Sequence, residues 1–222
     1  MNFIDIRHSC FQADQDLLQK LTGLLSKQEL TTANKFRQPA LRDRYIQVRG
    51  QLRTSLAEYL GVQPAALEFG IGTYGKPYLK QHPLYFNLSH SADRLVIAIS
   101  NLENIGIDIE YTQPRTNLRA LAQRCFSAGE FHLWQQLPLS QQHKLFYQLW
   151  TKKEAFVKAV GRGIVLGLSN CELNLPAAQT FASLPAEYSP PNAWQLIEFW
   201  PTDTICGALV APNTQLMLTE LT

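Results

Sequence analysis

Charge of one sign, clustered cysteine and long hydrophobic runs are all missing from this chain. Twenty Lys and Arg stand against eighteen Asp and Glu, a formal net charge of +2. So small a surplus does not draw a protein onto nucleic acid or an anionic membrane. The four cysteines, Cys10, Cys125, Cys171 and Cys206, lie far apart and form no CxxC pair. That spacing speaks against a zinc site or a disulfide framework and fits reduced thiols. No apolar run approaches the ~20 residues of a membrane-spanning helix. Met1-Asn2-Phe3-Ile4-Asp5 has neither the basic start nor the apolar centre of a signal peptide. The expectation is a cytoplasmic protein with no nucleic-acid and no membrane partner. A P-loop, an H-E-x-x-H helix and a G-x-S-x-G elbow are also missing, which removes three ready-made catalytic signatures. Ser89, His90 and Asp93 supply the residue types of a hydrolase triad, but neighbours so close in sequence cannot readily take up the base, nucleophile and orienter positions.

What is present is an ordinary globular balance, 45% hydrophobic and 17% charged residues in 222. That length allows one large domain or two of about 110 residues. Strand patterning is expected at 2–7, 67–71, 84–88, 94–100 and 105–110, with 89–93 as a polar turn. Helical spacing marks 13–25, 26–36 and a long helix from Pro39 to Gly61, where proline suits the first turn and glycine the C-cap. Ser26 with Glu29 and Ser127 with Glu130 have capping-box spacing. Arg42, Arg44, Arg49 and Arg53 lie opposite the apolar face of the long helix, and a solvated face is expected for most of them. After a polar stretch at 111–117, helices follow at 118–125, from Ser127 and from Ser140 to Gly161. Strands are expected at 164–175, 194–200 and 205–211, and an irregular connection at 176–192. Strands, helices and one long helix thus occur twice. The chain reads as α+β, two similar halves (1–107 and 108–222) related by a pseudo-two-fold axis, each an antiparallel sheet with a long packed helix.

Three stretches carry chemistry. Gly106-Ile107-Asp108-Ile109-Glu110 alternates, so in a strand both acids share one face and both isoleucines the other. Two carboxylates that close repel unless a cation sits between them, and a hard divalent ion takes such oxygens well. An acidic edge on a half-buried strand also explains the pattern. In the helix Trp150-Thr151-Lys152-Lys153-Glu154-Ala155-Phe156-Val157-Lys158, Glu154 and Lys158 read equally as an i,i+4 surface pair. Lys153 projects into the apolar stripe of Phe146 and Val160, where a lysine must snorkel or meet an anion. Asn87-Leu88-Ser89-His90-Ser91 reads as an anion corner or as a locally satisfied turn.

With Gly75-Lys76-Pro77 added, the order and spacing of these stretches resemble the 4′-phosphopantetheinyl transferases of the Sfp type, from about Phe36 to Ile164. The resemblance implies transfer of the phosphopantetheine arm of coenzyme A to a serine of an apo acyl or peptidyl carrier protein, with release of 3′,5′-ADP. It implies Mg²⁺ on Asp108, Glu110 and Glu154, and Lys158 on the diphosphate with Lys153 as a helper. His90 and Ser89 are implied at the 3′-phosphate, and Lys76 and Arg44 in the nucleotide pocket. Glu154 is the carboxylate assigned to the serine proton, with Lys158 beside it in the catalytic set, and Glu130 is left as a capping residue. The family's further basic residues before Phe36 are replaced here by Glu29, Thr31, Thr32 and Asn34, which shifts that task toward Arg44 and His90. A complete site at the junction of two halves needs no second subunit, so a monomer is expected. A non-catalytic CoA- or nucleotide-binding module and a metal-dependent diphosphate hydrolase are the competing functions.

Overall fold

The computed structural model describes residues 1–221, with side chains through Thr219. β1 (Asn2–Cys10) is followed by α1 (Gln15–Thr22), α2 (Lys27–Ala33) and α3 (Pro39–Leu60). The strands β2 (Phe69–Ile71), β3 (Pro77–Leu79), β4 (Tyr85–Ser91), β5 (Arg94–Ser100) and β6 (Gly106–Tyr111) follow. Next come α4 (Leu118–Cys125), α5 (Ala128–Gln136) and α6 (Leu139–Ala159). The chain ends with β7 (Glu172–Leu173), β8 (Phe181–Ser183), β9 (Trp194–Thr202), β10 (Ile205–Pro212) and β11 (Leu216–Leu221). The fold is α+β, as the sequence reading expected.

Local signals set the helix ends. Ser26 and Glu29 close one capping box and Ser127 and Glu130 another. Pro39 sits in the first turn of α3, and Gly61 ends it with φ 65°, a conformation glycine takes without strain. The expected solvated face of α3 holds only in part. Arg53 is 1% exposed, and it and Arg49 both grip the buried Glu29, so α2 and α3 are joined by a buried charge cluster.

Two sheets carry the architecture, one in the order β11-β1-β5-β4 and the other β6-β10-β9. Strand β5 is buried on both faces. Leu95, Ile97 and Ile99 pack with Val48, Leu52 and Leu56 of α3, while Val96 and Ala98 join Ile4, Ile6, Ile107 and Ile109 between the sheets. The third core lies under α6, where Phe146, Leu149 and Phe156 meet Cys206, Ala208 and Val210 of β10.

Three expectations are corrected. The stretch 164–175 forms 3₁₀ turns at Gly163–Leu166 and Leu168–Asn170, with a strand only at Glu172–Leu173. Ser89, His90 and Ser91 belong to β4 rather than to a turn, and the hairpin bends at Ala92 and Asp93. The last strand crosses back to the first sheet and pairs parallel with β1, so the stretch 108–222 does not hold its own final strand, and the first sheet is not wholly antiparallel. Gly70-Ile71-Gly72-Thr73-Tyr74-Gly75 has G-x-G-x-x-G spacing, but it links the antiparallel β2 and β3. A dinucleotide turn needs a helix there to receive the pyrophosphate.

Candidate active site

The seam between the sheets is made by side chains. β4 and β6 are edge strands of different sheets. Asn87 Oδ1 accepts from Ile107 N at 2.8 Å, Ser89 Oγ donates to Asp108 Oδ1 at 2.7 Å, and Ser91 Oγ donates to Glu110 Oε2 at 3.1 Å. Asn87, Ser89 and Ser91 alternate, as residues on one face of a strand must. Reading this stretch as a turn hid that ladder, although its i, i+2, i+4 spacing was the available signal.

Across β6, period two separates two roles. Ile107 and Ile109 enter the core between the sheets, while Gly106, Asp108 and Glu110 stand opposite Val210, Ala208 and Cys206 of β10, the residues packed under α6. Gly106 lets the helix come close. A Cβ there would stand 2.0 Å from the Ala155 carbonyl oxygen and 2.3 Å from Ala159 N. Neither backbone atom can rotate away, so Gly106→Ala is expected to destabilise the protein by about 2–3 kcal/mol. An unfolding free energy from urea titration within about 0.5 kcal/mol of wild type would refute this close approach.

The approach of α6 brings Glu154 and Lys158 over the acids. Lys158 Nζ donates to Asp108 Oδ1 at 2.7 Å and to the Ile107 carbonyl at 3.2 Å. Its ion pair therefore reaches across to the strand instead of along the helix to Glu154. Leu88, Ser89, His90, Asp108, Ile109, Glu110, Trp150, Glu154 and Lys158 line one pocket of about 350 Å³. Asp108 is 5% exposed, and its Oδ2 is buried without a hydrogen-bond partner. Burial, then the charges of Asp108 and Glu110, push Glu154 up to about 7 despite Lys158. Burial and Asp108 likewise raise Glu110, against Ser91, Arg115 and Lys158. Among the described residues, no three His, Cys, Asp or Glu side chains already stand as a metal cage. The fit to a hard cation is one of donor chemistry: an orphaned carboxylate oxygen and two further carboxylates held protonated more readily than usual.

His90 stands at the rim, its ring edge-on to Phe11 at 6.0 Å. Arg44 also stacks on Phe11, 5.0 Å from its centroid, and donates to the Ala92 carbonyl. Burial against these neighbours, then Arg44 and Lys158, hold the imidazole below its ordinary value. The corner is electropositive, which suits an anion.

Two expected anion contacts are placed elsewhere. Lys153 is 0% exposed and donates to Glu130 Oε2 at 2.6 Å and to the Leu168 carbonyl at 3.0 Å. It meets an anion, but a protein one in the core of the second sheet, and Glu130 is its partner as well as a cap. Lys76 donates to the carbonyls of Ile105 and Ala159. It lines a separate cavity of about 300 Å³ with Tyr85, Phe86 and Val160, tying the β2–β3 hairpin to β6 and to the end of α6. Burial lowers its pKa to about 8. The folded state therefore releases this proton before the unfolded chain does, and stability from this group rises between pH 8 and 10.5. Unfolding free energies of wild type minus Lys76→Met are expected to grow over that interval; a flat difference would refute the burial of a charged ammonium.

Sequence reading missed Ser91, Asn87, Arg115 and Tyr147, and the last two had no local signal. The four cysteines are free thiols, and burial pushes Cys171 and Cys206 up to about 12. Among the described residues, no helix is long and apolar enough to cross a membrane.

Three carboxylates and a lysine on a strand–helix seam, beside an electropositive corner, make a site for a cation and an anion together. The model of the 4′-phosphopantetheinyl transferase superfamily matches residues 104–208, from just before β6 into β10. The 4′-phosphopantetheinyl transferase HetI of Nostoc sp. is 40% identical over 198 residues, covering 87% of this chain and 81% of that protein. A putative 4′-phosphopantetheinyl transferase of Synechocystis sp. is 36% identical over 159 residues, 70% of this chain and 65% of its own. A 4′-phosphopantetheinyl transferase of Bacillus subtilis is 40% identical over 125 residues, 56% and 54% of the two chains. The chain belongs to the 4′-phosphopantetheinyl transferase superfamily and is a transferase.

Proposed function

We propose that this protein moves the 4′-phosphopantetheine arm of coenzyme A onto a serine of an apo acyl or peptidyl carrier protein, with Mg²⁺, and releases 3′,5′-ADP. The observation that carries the reading is that Asp108 lines one pocket with Glu110, Glu154 and Lys158 and keeps a buried Oδ2 without a hydrogen-bond partner. Asp108, Glu110 and Glu154 would hold the Mg²⁺, which supplies charge neutralisation to the diphosphate oxygens. Ser89 gives its hydroxyl proton to Asp108, so it orients that carboxylate, and His90 with Arg44 takes the nucleotide phosphate. Lys158 projects into the same pocket and steadies the diphosphate. Glu154 would accept the proton of the carrier serine, directly or through a bound water, as the serine oxygen bonds to the pantetheine phosphorus and the diphosphate P–O bond breaks toward 3′,5′-ADP. Lys76 and Lys153 are assigned structural ion and hydrogen-bond partners.

Strand β4 lines the pocket from the first half of the chain, and β6 and α6 line it from the second. That division supports nucleotide contacts from 1–107, metal contacts from 108–222 and a single chain as the working unit. The test is mass spectrometry of apo carrier proteins incubated with coenzyme A and Mg²⁺. The expected result is the phosphopantetheine mass increment on the carrier, lost when EDTA is added. Binding of coenzyme A with no modification of any carrier would favour a binding module. Free phosphopantetheine formed without a carrier would favour a hydrolase.

A further inference from the structure

The segment after β6 is tied to the pocket by one side chain that the reaction scheme leaves unused. Arg115 Nε donates to Tyr147 Oη at 3.0 Å, and its Nη2 stands 3.6 Å from Glu110 Oε2. The guanidinium also sits 5.7 Å from the Tyr147 ring centroid. Tyr147 is 0% exposed and belongs to α6, so it is a fixed post. Its hydroxyl donates in turn to the Gln113 carbonyl at 2.7 Å, and His143 Nε2 lies 2.9 Å from the same oxygen. The polar stretch 112–117 is therefore held to α6 at Gln113 and at Arg115, and the second of these contacts runs on to Glu110.

The chemistry of Glu110 makes that last contact matter. The contacts of Ser91 and Arg115 with Glu110 both fall on Oε2. A carboxylate held by one oxygen from two directions has its second oxygen aimed, here in a side chain that lines the pocket with Asp108 and Glu154. We propose that Arg115 is a positioning residue: anchored on Tyr147, it fixes the Glu110 carboxylate for the divalent cation and couples the 112–117 segment to the metal site. This rests on the metal reading of Asp108, Glu110 and Glu154. Two physical effects of Arg115 oppose each other. As a cation it repels a metal, whereas as an outer partner it orients a ligand, and loss of such partners costs about 10–100-fold in metal affinity. Arg115 is one-third exposed, so its repulsion is screened by water and orientation outweighs it.

The test is Mg²⁺ binding by calorimetry with the full chain, together with steady-state kinetics on coenzyme A and an apo carrier. Arg115→Ala is expected to weaken Mg²⁺ about tenfold, with kcat returning to within about twofold of wild type at saturating Mg²⁺. Tyr147→Phe keeps the ring and removes the hydroxyl, and is expected to weaken Mg²⁺ about threefold; Arg115→Lys lies between wild type and Arg115→Ala. A residue that merely secured the loop would lower the melting temperature and leave Mg²⁺ affinity untouched. Unchanged or tighter Mg²⁺ binding in Arg115→Ala overturns the proposal while the metal reading stands. Wild type that binds no Mg²⁺, like an Asp108→Ala control, overturns both.

Discussion

Glu154→Gln and Asp108→Asn are each expected to lower carrier labelling about a thousandfold or more while the protein stays folded. A metal that neutralises developing charge supplies several kcal/mol, and each 1.36 kcal/mol is a factor of ten. For Glu154 the variant also loses the group assigned to the serine proton. For Glu154→Gln the fold should not suffer. The pKa of Glu154 is raised from 4.5 to about 7 by burial and by Asp108 and Glu110. A carboxyl that holds its proton more tightly when folded stabilises the fold below pH 4.5, and that contribution is lost as pH rises through 7. At pH 8 without divalent cations the ionised group is a burden, and Glu154→Gln is expected to raise stability by roughly 1–3 kcal/mol. The combination of a more stable, inactive variant is the mark of a site that strains the fold. Labelling with fluorescent coenzyme A and thermal melts at pH 6 and pH 8 read the two effects separately. Undiminished labelling in both variants would end the metal-site reading.

The second large effect concerns Lys153. Substitution by Met is expected to cost about 3–5 kcal/mol, because it leaves Glu130 buried with no counter-charge. Glu130 is 1% exposed; its Oε2 takes Lys153 and Ser127 N, and its Oε1 takes Leu173 N. Burial lowers the pKa of Lys153 and Glu130 opposes that shift, so the pair is held against desolvation by mutual attraction. The double variant Lys153→Met/Glu130→Gln removes both charges and keeps an amide for the backbone N–H groups, and is expected to recover roughly half of the loss. Urea unfolding supplies the stabilities, and the KM for coenzyme A supplies the contrast. A structural lysine leaves that KM within about twofold, whereas an anion contact would raise it about tenfold or more. A loss under 1 kcal/mol with a raised KM would restore Lys153 to the pocket.

These two lysines of one helix show where sequence reasoning reaches its limit. Lys153 and Lys158 both lie in the motif, and both were assigned to the diphosphate. Helical periodicity placed Lys153 in an apolar stripe and showed that it must snorkel or meet an anion. It could not say which one, since Glu130 lies 23 residues away and is brought in by the packing of α5 on α6. The same limit applies to Arg53, whose partner Glu29 is 24 residues earlier, and to Arg115. Charged residues on a helix look solvated until the neighbouring helix is in place.

The sequence by itself determined what short-range rules control. Alternation in 106–110 divides two isoleucines from two acids, because successive side chains in a strand face opposite ways. The capping boxes at Ser26 and Ser127, the proline that opens α3 and the glycine that closes it follow from backbone groups within four residues. The motif order pointed to the family. Tertiary structure alone decided what lies far along the chain. It set β11 beside β1, joined β4 to β6 through Asn87, Ser89 and Ser91, and carried Lys158 to Asp108 across 50 residues. Strand order and the partners of buried charges depend on how whole elements pack, and no local periodicity encodes them. Asp108 belongs to both accounts: alternation chose its face, and the close approach of α6 over Gly106 made that face a site.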